Sequence, residues 1–508
     1  MVTPCLLGLD IGTLGVKGVA VTTDGRVLAR AHLAHSVSHP QRGWAEQDAD
    51  DQWWGDGLKV IRDLLAAPDV NPAAIAAIGV SGLVPCLCLV DAAGLPLRPA
   101  ILYSDNRALA QLAEINTALG LSLTAQAITP KWRWLAEHEQ DVLRCAQHIL
   151  SSHNYVVYRL TGAYTMDFDT ASIAGGVFDT QRKVWDERAC AAMGLGARLL
   201  PPVHAVTEVV GSVTDLAAAA TGLRAGTPVI AGTGDTFPTL VGCGAVAAGD
   251  AMISLGTTGL LTLTTHRLQS AAAGPHFAAA SADDTRSAGE EGAVLWAANV
   301  LACGQVLAWF REELAPGVHL PSGPSLVRLP DFPALDRAAA AISPGSHGLI
   351  ALPHLMGRRT PTPDPAARGA FVGLTPSHTA ADIYRSLLES VGYALRQGFD
   401  PIRPRVRRVI ATAGGAASPL WRQILADILE TSIEYHPAAS GALGIAFIAG
   451  FATGYIAGFE VIRDAWLVQP AVMAPDPTTF GVYRALCQAY CYLDDTLGPV
   501  YRMLDDAI

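Results

Sequence analysis

The sequence predicts a duplicated α/β protein of two large domains, and three observations carry that prediction. First, one phrase occurs twice in matching contexts: Asp10-Ile11-Gly12-Thr13-Leu14-Gly15 and Ser254-Leu255-Gly256-Thr257-Thr258-Gly259. Each follows a short apolar run and leads into another, so two strands meet at glycines that can turn backbone N–H groups toward an anion. Second, 508 residues suffice for two domains, each burying its own core. Third, short apolar strands alternate with helical patterns after the opening, as in a mixed α/β sheet.

Taken in order, the chain opens as a meander: Leu6 to Asp10, Val16 to Thr23, the hairpin signal Asp24-Gly25, and Arg26 to Leu33. Ala74 to Val80 forms a strand ending at Ser81-Gly82, and Cys86 to Val90 forms another before a turn at Asp91 to Gly94. The turn Ala225 to Pro228 feeds the strand Val229 to Ala231, which ends at Gly232-Thr233-Gly234-Asp235. The boundary falls close to Val246, giving domains 1–246 and 247–508. Pro316 to Pro333, rich in Pro and Gly, is expected to be an irregular surface connection. Val409 to Ala411 is a strand, Ala413 to Pro419 a Gly-rich turn, and Trp421 to Leu429 a helix. Tyr483, Leu486, Tyr490 and Leu493 give the last stretch, Pro475 to Ile508, a helical face that packs on the body.

Composition excludes several functions. Net charge is −11 with 16% charged residues and no run of Lys or Arg, so nucleic-acid binding is not expected. Nine scattered cysteines without ligand spacing read as reduced thiols of a cytoplasmic protein, and no leader segment is seen. Pro437 to Phe459 lacks charge and carries Gly450, Gly454 and Gly458 at small-xxx-small spacing. Without basic flanks, and with Glu460 next, it reads as a closely packed Gly/Ala helix and no membrane is implied.

Facing hairpins would present Gly12 and Thr13, and Gly256, Thr257 and Thr258, to nucleotide phosphates, with Asp10 placed where Mg²⁺ would sit. A single such hairpin is also an ordinary tight turn; two in matching contexts favour phosphate. Asp235 is displayed at a strand's C-terminal end behind three small residues, which suits a base and equally suits a helix N-cap or Asx turn. Gly414, Gly415, Ala416 and Ser418 offer bare backbone at a helix start, fitting a flat ring or phosphate, or a plain strand-to-helix turn.

These phrases resemble the FGGY family of carbohydrate kinases, most of all its xylulose kinase branch, over nearly the whole length. Asp10 to Lys17 matches the first phosphate motif, Ser254 to Gly259 the second, and Gly414 to Ser418 the adenosine motif. The C-terminal signature is matched by Gly369-Ala370-Phe371-Val372-Gly373-Leu374 with Asp382-Ile383 and Ser386-Leu387-Leu388-Glu389. Gly43 to Asp48, Tyr155 to Gly162, Arg359-Thr360-Pro361 and Ser418 to Trp421 add support. The resemblance implies two ribonuclease-H-like (actin-like ATPase) domains with an interdomain cleft. It implies Mg-ATP as phosphoryl donor, Asp235 as catalytic base, Lys17 in the nucleotide site, and a homodimer by analogy.

Departures bear on the acceptor. Gly82-Leu83-Val84-Pro85-Cys86 stands where xylulose kinases carry Gly-Gln-Met-His-Gly, so Leu83, Val84 and Pro85 are expected to line the sugar pocket without the hydrogen bonds of Gln and His. Thr236 replaces a frequent Asn, and Ala417 a frequent Lys or Arg. Asp105 is a candidate sugar ligand, with Trp44, Arg107, His153 and Asn154. Each has a plain alternative: Trp44 as core, Asp105 and Arg107 as a surface pair, His153 as a strand-end histidine. The expected activity is ATP-dependent phosphorylation of a small sugar, with xylulose first. The alternatives are another pentose, polyol or sugar acid, or a catalytically inactive nucleotide sensor of the same fold.

Overall fold

Cys5–Gly12 (β1) is apolar at nearly every position, as a strand covered on both faces must be, and it is buried along most of its length. It turns into Gly15–Thr22 (β2), and Asp24-Gly25 leads on to Val27–Ala34 (β3), whose alternating exposure marks a sheet edge. Val60 and Leu64 of the helix Asp56–Leu65 (α1) press on this meander at Gly18. Ile75–Gly82 (β4) runs parallel to β1 and sets Ser81 opposite Asp10. The structure, a computed structural model, describes residues 3–266, 277–279, 294–315 and 330–506.

The helices that follow include Ile128–His138 (α2), Ser152–Thr161 (α3) and Phe168–Ser172 (α4). Val209–Ser212 (β5), Pro228–Ile230 (β6) and the two-residue strand Thr233–Gly234 (β7) complete a seven-stranded sheet, and Thr236–Gly242 (α5) begins directly after Asp235. The order is β5-β6-β4-β1-β2-β3, with β7 also paired to β4.

A second seven-stranded sheet comprises Asp250–Leu255 (β8), Gly259–Thr264 (β9), Phe277–Ala279 (β10), Val294–Val300 (β11), Arg408–Thr412 (β12), Ile433–Tyr435 (β13) and Ala471–Met473 (β14). Gly304–Trp309 (α6), Ala380–Ile402 (α7) and Pro419–Leu429 (α8) accompany it. Both sheets obey one rule. From β3 or β11 inward, two antiparallel pairings are followed by two parallel ones and then an antiparallel edge. The duplication read from one phrase therefore extends through six strands, although β5 precedes β6 in the chain whereas β14 follows β13.

The chain divides into two compact units. Unit 1 holds the described residues up to Gly244 together with Ser440–Val468; unit 2 holds those from Ala245 to Ala439 and from Gln469 onward. A single cut at 246 assigns Ser440–Val468 to the second half, yet that segment folds with the first. Its helix, Gly441–Ala452 (α9), touches the sheet backbone to backbone. A Cβ on Gly8 would stand 2.0 Å from the Ala442 carbonyl oxygen, and one on Gly444 would stand 1.8 Å from that of Pro238. Only glycine permits either approach. Of the spaced glycines, Gly450 lies in the helix, where a Cβ would stand 2.5 Å from Leu6 of β1, while Gly454 and Gly458 lie past the helix end; Gly441 and Gly444 add further close contacts. No helix among the described residues is long and apolar enough to cross a membrane.

Most of the expected connection Pro316 to Pro333 lies outside the described residues, but Pro333 sits in the first turn of the helix Phe332–Ala340, capped by Asp331. Phe480–Thr496 (α10) packs on unit 2 through Tyr483 and Tyr490.

Candidate active site

In unit 1, β7 pairs with β4 so that Thr233 lies opposite Ser81 and Gly234 opposite Gly82. β1 lies on the other side of β4 and sets Asp10 against the same Ser81, whose hydroxyl donates to Asp10 Oδ1 at 2.9 Å. The register therefore brings Asp10 and Asp235 to one end of the sheet. Asp235 occupies the residue before α5, but its carboxylate does not cap that helix. It accepts from the Thr236 hydroxyl at 3.2 Å instead, and its side chain stays open at the surface.

Each carboxyl group changes the other's chemistry. One side of Asp235 is open, but the protein packed around the rest thins its hydration, and the Asp10 charge adds to this, so its pKa is pushed up to about 7. Burial also raises Asp10, with Lys17 and the Ser81 hydroxyl pulling the other way. Two carboxylates near enough to feel each other's charge at one end of a sheet fit a hard cation. Among the described residues no group of three or more acid, His or Cys side chains forms a nest, so such a cation would draw its remaining ligands from water and phosphate oxygens, as magnesium does.

The tip of the first hairpin is held by side chains. His35 Nε2 lies 3.0 Å from the Gly12 carbonyl oxygen, and Gln47 Nε2 donates to that of Thr13 at 2.9 Å. The Tyr103 hydroxyl stands 3.5 Å from Thr13 Oγ1. Lys17 is exposed on β2 opposite Asp10.

The sugar-side candidates divide. Leu83 is 1% exposed, its N–H bonded to Ile11 and its carbonyl to the Ser152 hydroxyl, so it belongs to the core. Pro85 is buried and follows a cis peptide bond. Val84 alone is half-exposed, packed on Gly234 one residue before Asp235. Asp105 and Arg107 are no surface pair: both side chains are fully buried. Asp105 accepts from the Ala45 N–H and from Arg107, while the Arg107 guanidinium lies 3.7 Å over the Trp44 ring. Trp44 is therefore a half-exposed lid on a buried ion pair and not core. His153 sits on α3 and not at a strand end; it is fully buried, with Nε2 2.7 Å from Asp167 Oδ2. Lys131, unassigned from sequence, is buried and donates to the carbonyls of Tyr103 and Gln126, and burial lowers its pKa to about 8.

In unit 2 the second hairpin rests on the start of α6. Amides of Cys303 and Gln305 donate to the Thr257 carbonyl at 3.0 and 3.2 Å, and that of Gly304 to the Gly256 carbonyl at 2.8 Å. Thr257 and Thr258 face outward, exposed. The Gly414–Ala417 turn packs beside this hairpin: a Cβ on Gly415 would stand 2.9 Å from Leu255 and 2.4 Å from the Trp421 ring. Ser418 caps α8 by accepting from the Trp421 N–H, and Arg422 Nη1 holds the Ala416 carbonyl at 2.9 Å. Gly414 and Ala417 are exposed, Ala416 is buried, and Ala413 adopts a left-handed φ of 68°. Thus unit 2 gathers both of its nucleotide motifs, and unit 1 gathers two carboxylates and the first hairpin.

His35, Gln47, Tyr103, Lys131, Cys303 to Gln305 and Arg422 support the site without a local signature. Gln47 lies inside the phrase Gly43 to Asp48, and Arg422 directly follows the phrase Ser418 to Trp421.

Profiles of the FGGY family of carbohydrate kinases match residues 5–242 with the N-terminal domain and 251–453 with the C-terminal domain. The xylulose kinase of Escherichia coli K12 is 31% identical over 97% of this chain and 99% of its own. The gluconokinase of Bacillus licheniformis is 26% identical over 99% of this chain and 98% of its own. The crystal structure of xylulose kinase from Rhodospirillum rubrum is 28% identical, covers 98% of this chain and 100% of its own, and superposes with a TM-score of 0.78.

Proposed function

The chain belongs to the FGGY family of carbohydrate kinases and is an ATP-dependent sugar kinase; from that premise we propose that it phosphorylates xylulose, with Asp235 as base. The observation that carries the site assignment is the pairing of Asp235 with Asp10 at one end of the unit 1 sheet. With a pKa near 7, Asp235 is ionised in a useful fraction at neutral pH and accepts the proton of the sugar hydroxyl as phosphorus–oxygen bond formation proceeds. Thr236 steadies its carboxylate. Gly256, Thr257 and Thr258 receive the phosphates of ATP, and Gly414, Gly415, Ala416 and Ser418 its adenosine. Gly12, Thr13 and Lys17 serve the phosphoryl group in transit. Asp10 holds Mg²⁺, which when bound neutralises charge on the phosphate oxygens.

A second reading rests on Val84. A half-exposed apolar side chain one residue from the base in space favours an acceptor with a less hydroxylated face, since a hydroxyl buried against it loses water at a cost of ~1–3 kcal/mol. That reading admits another pentose, a polyol or a sugar acid, and a gluconokinase stands among the relatives. Leu83 and Pro85 contribute by shaping the backbone around Val84. We place the enzyme in the cytoplasm, where ATP and its nine free cysteines are at home, and propose a homodimer on family analogy alone.

A coupled assay with Mg-ATP against D-xylulose, other pentoses, polyols and gluconate tests this. The reading requires kcat/KM for D-xylulose to exceed the rest. Preference for gluconate or a polyol replaces the acceptor, and absence of turnover with every sugar removes the kinase reading.

A further inference from the structure

Behind Asp235 lies a polar cluster with no part in the steps above. Asp167 Oδ1 caps α4 by accepting from the Thr170 N–H at 3.0 Å, while Oδ2 lies 2.7 Å from His153 Nε2. Asp169, in the first turn of α4, accepts a hydrogen bond from the Thr233 hydroxyl at 3.2 Å. Thr233 opens β7, two residues before Asp235. Just upstream, Gly232 has a φ of 72°, and a Cβ there would stand 2.0 Å from the Val80 carbonyl oxygen and 3.5 Å from His153. β7 is thus gripped on two sides, by the main chain of β4 and by the carboxyl group of Asp169.

A two-residue strand has too few ladder bonds to fix its own direction, so the Thr233–Asp169 bond carries weight beyond an ordinary hydroxyl contact. Burial, with the neighbouring Asp167 charge, raises the Asp169 pKa well above the usual carboxylate range. Three further buried polar atoms of this cluster, His153 Nδ1, Asn154 Oδ1 and Thr170 Oγ1, find no partner among the described residues. A protein interior retains such groups where a polar arrangement serves something other than packing.

We propose that Asp169 is a positioning residue for phosphoryl transfer, acting through Thr233 to fix the direction in which Asp235 leaves β7. This rests on the assignment of Asp235 as base. A proton acceptor works within about 2.6–3.2 Å of the oxygen that carries the proton, and a misplacement near 1 Å lowers rate by as much as ~10²-fold. Asp169 touches no reacting atom; it sets where the reacting carboxylate points.

The test is a kinetic double-mutant cycle in the full-length protein, with Mg-ATP and the best acceptor from the sugar panel. Thr233→Val, nearly isosteric, should lower kcat ~10-fold or more while KM for ATP stays within about twofold. Thr233→Ser restores the hydroxyl and should recover most of that loss. In an Asp235→Asn background, Thr233→Val should change kcat less than about twofold, because its effect passes through the missing carboxylate. The same fold loss in both backgrounds, or an unchanged kcat in Thr233→Val alone, overturns the proposal. If Thr233→Val does not fold, Asp169→Ala carries the same cycle, with Asp169→Asn as its rescue. Should Asp235→Asn itself keep turnover, the base assignment falls first; if it loses turnover while Thr233→Val does not, only the positioning role falls.

Discussion

The two hairpins share a phrase and a fold position but are held by different chemistry. In the first, the carbonyls of Gly12 and Thr13 meet side chains, His35 and Gln47; in the second, those of Gly256 and Thr257 meet main-chain amides of residues 303 to 305. The phrase also begins differently, with Asp10 in one copy and Ser254 in the other. A side-chain support can be removed by one substitution, whereas a main-chain support yields only to a change in the path of the chain. Duplication conserved the turn and left each copy to find its own scaffold.

The sharpest test of what the first copy serves is Asp235→Asn, expected to lower kcat by ~10²–10⁴ with KM for ATP nearly unchanged. Turnover within twofold of wild type would remove Asp235 from the chemistry. Next, Asp10→Ser converts the first phrase toward the second. Loss of several kcal/mol of charge stabilisation predicts a ~10²–10³-fold fall in Mg²⁺-dependent kcat with sugar binding by calorimetry intact. The pH profile adds a sign. The base acts when ionised, so kcat/KM in wild type should rise with pH through about 7; deleting the Asp10 charge, the second cause of the raised pKa after burial, should move that limb to lower pH. A limb that stays fixed or moves up contradicts the neighbour relation.

Smaller effects separate the scaffolds themselves. Gly304→Ala places a Cβ 2.6 Å from the Gly256 carbonyl oxygen, so the second hairpin or α6 must shift. We expect thermal unfolding to report about 1–3 kcal/mol of lost stability and KM for ATP to rise roughly tenfold. His35→Leu removes the contact with the Gly12 carbonyl at the first tip and the one with Asp56, about 0.5–1.5 kcal/mol each, and should lower kcat/KM some 3–10-fold. Gln305→Ala, whose contact is made by its main-chain N–H, should fall below the His35 effect. If Gln305→Ala equals or exceeds it, the contrast between side-chain and main-chain support is wrong.

Local patterns reached the strands, the turns and the position of Asp235, because apolar runs and glycines report directly on backbone shape. They did not reach the partners of those turns. Nothing in Cys303-Gly304-Gln305 announces that its amides seat a hairpin more than forty residues earlier, since any sequence has amides. Asp105 and Arg107 read as a surface pair because charge suggests exposure, but two bonded charges under a Trp44 ring can be buried together. Leu83 continues the inward face of β4 into the core, so a loop read as three pocket residues presents one, Val84. Of the glycines spaced along the last apolar segment, Gly450 packs on Leu6 of β1, whereas Gly454 and Gly458 fall past the helix end, because spacing alone does not report where a helix stops.

The return of α9 to unit 1 has a consequence in time. Leu443, Ile445, Phe447 and Ile448 are fully buried, and at roughly 1.5–3 kcal/mol each they supply on the order of 6–12 kcal/mol, comparable with the whole net stability of a domain. Gly8 emerges from the ribosome early, but its neighbour Ala442 follows only after roughly 20–90 s at about 5–20 residues per second. During that interval the newborn sheet has an uncovered apolar face, and unit 2 can complete most of itself first. The N-terminal half of this enzyme thus waits for a segment made near the end of the chain, just as unit 2 waits for Gln469 onward, and a nascent chain stalled before Ser440 is one that a holding chaperone must guard.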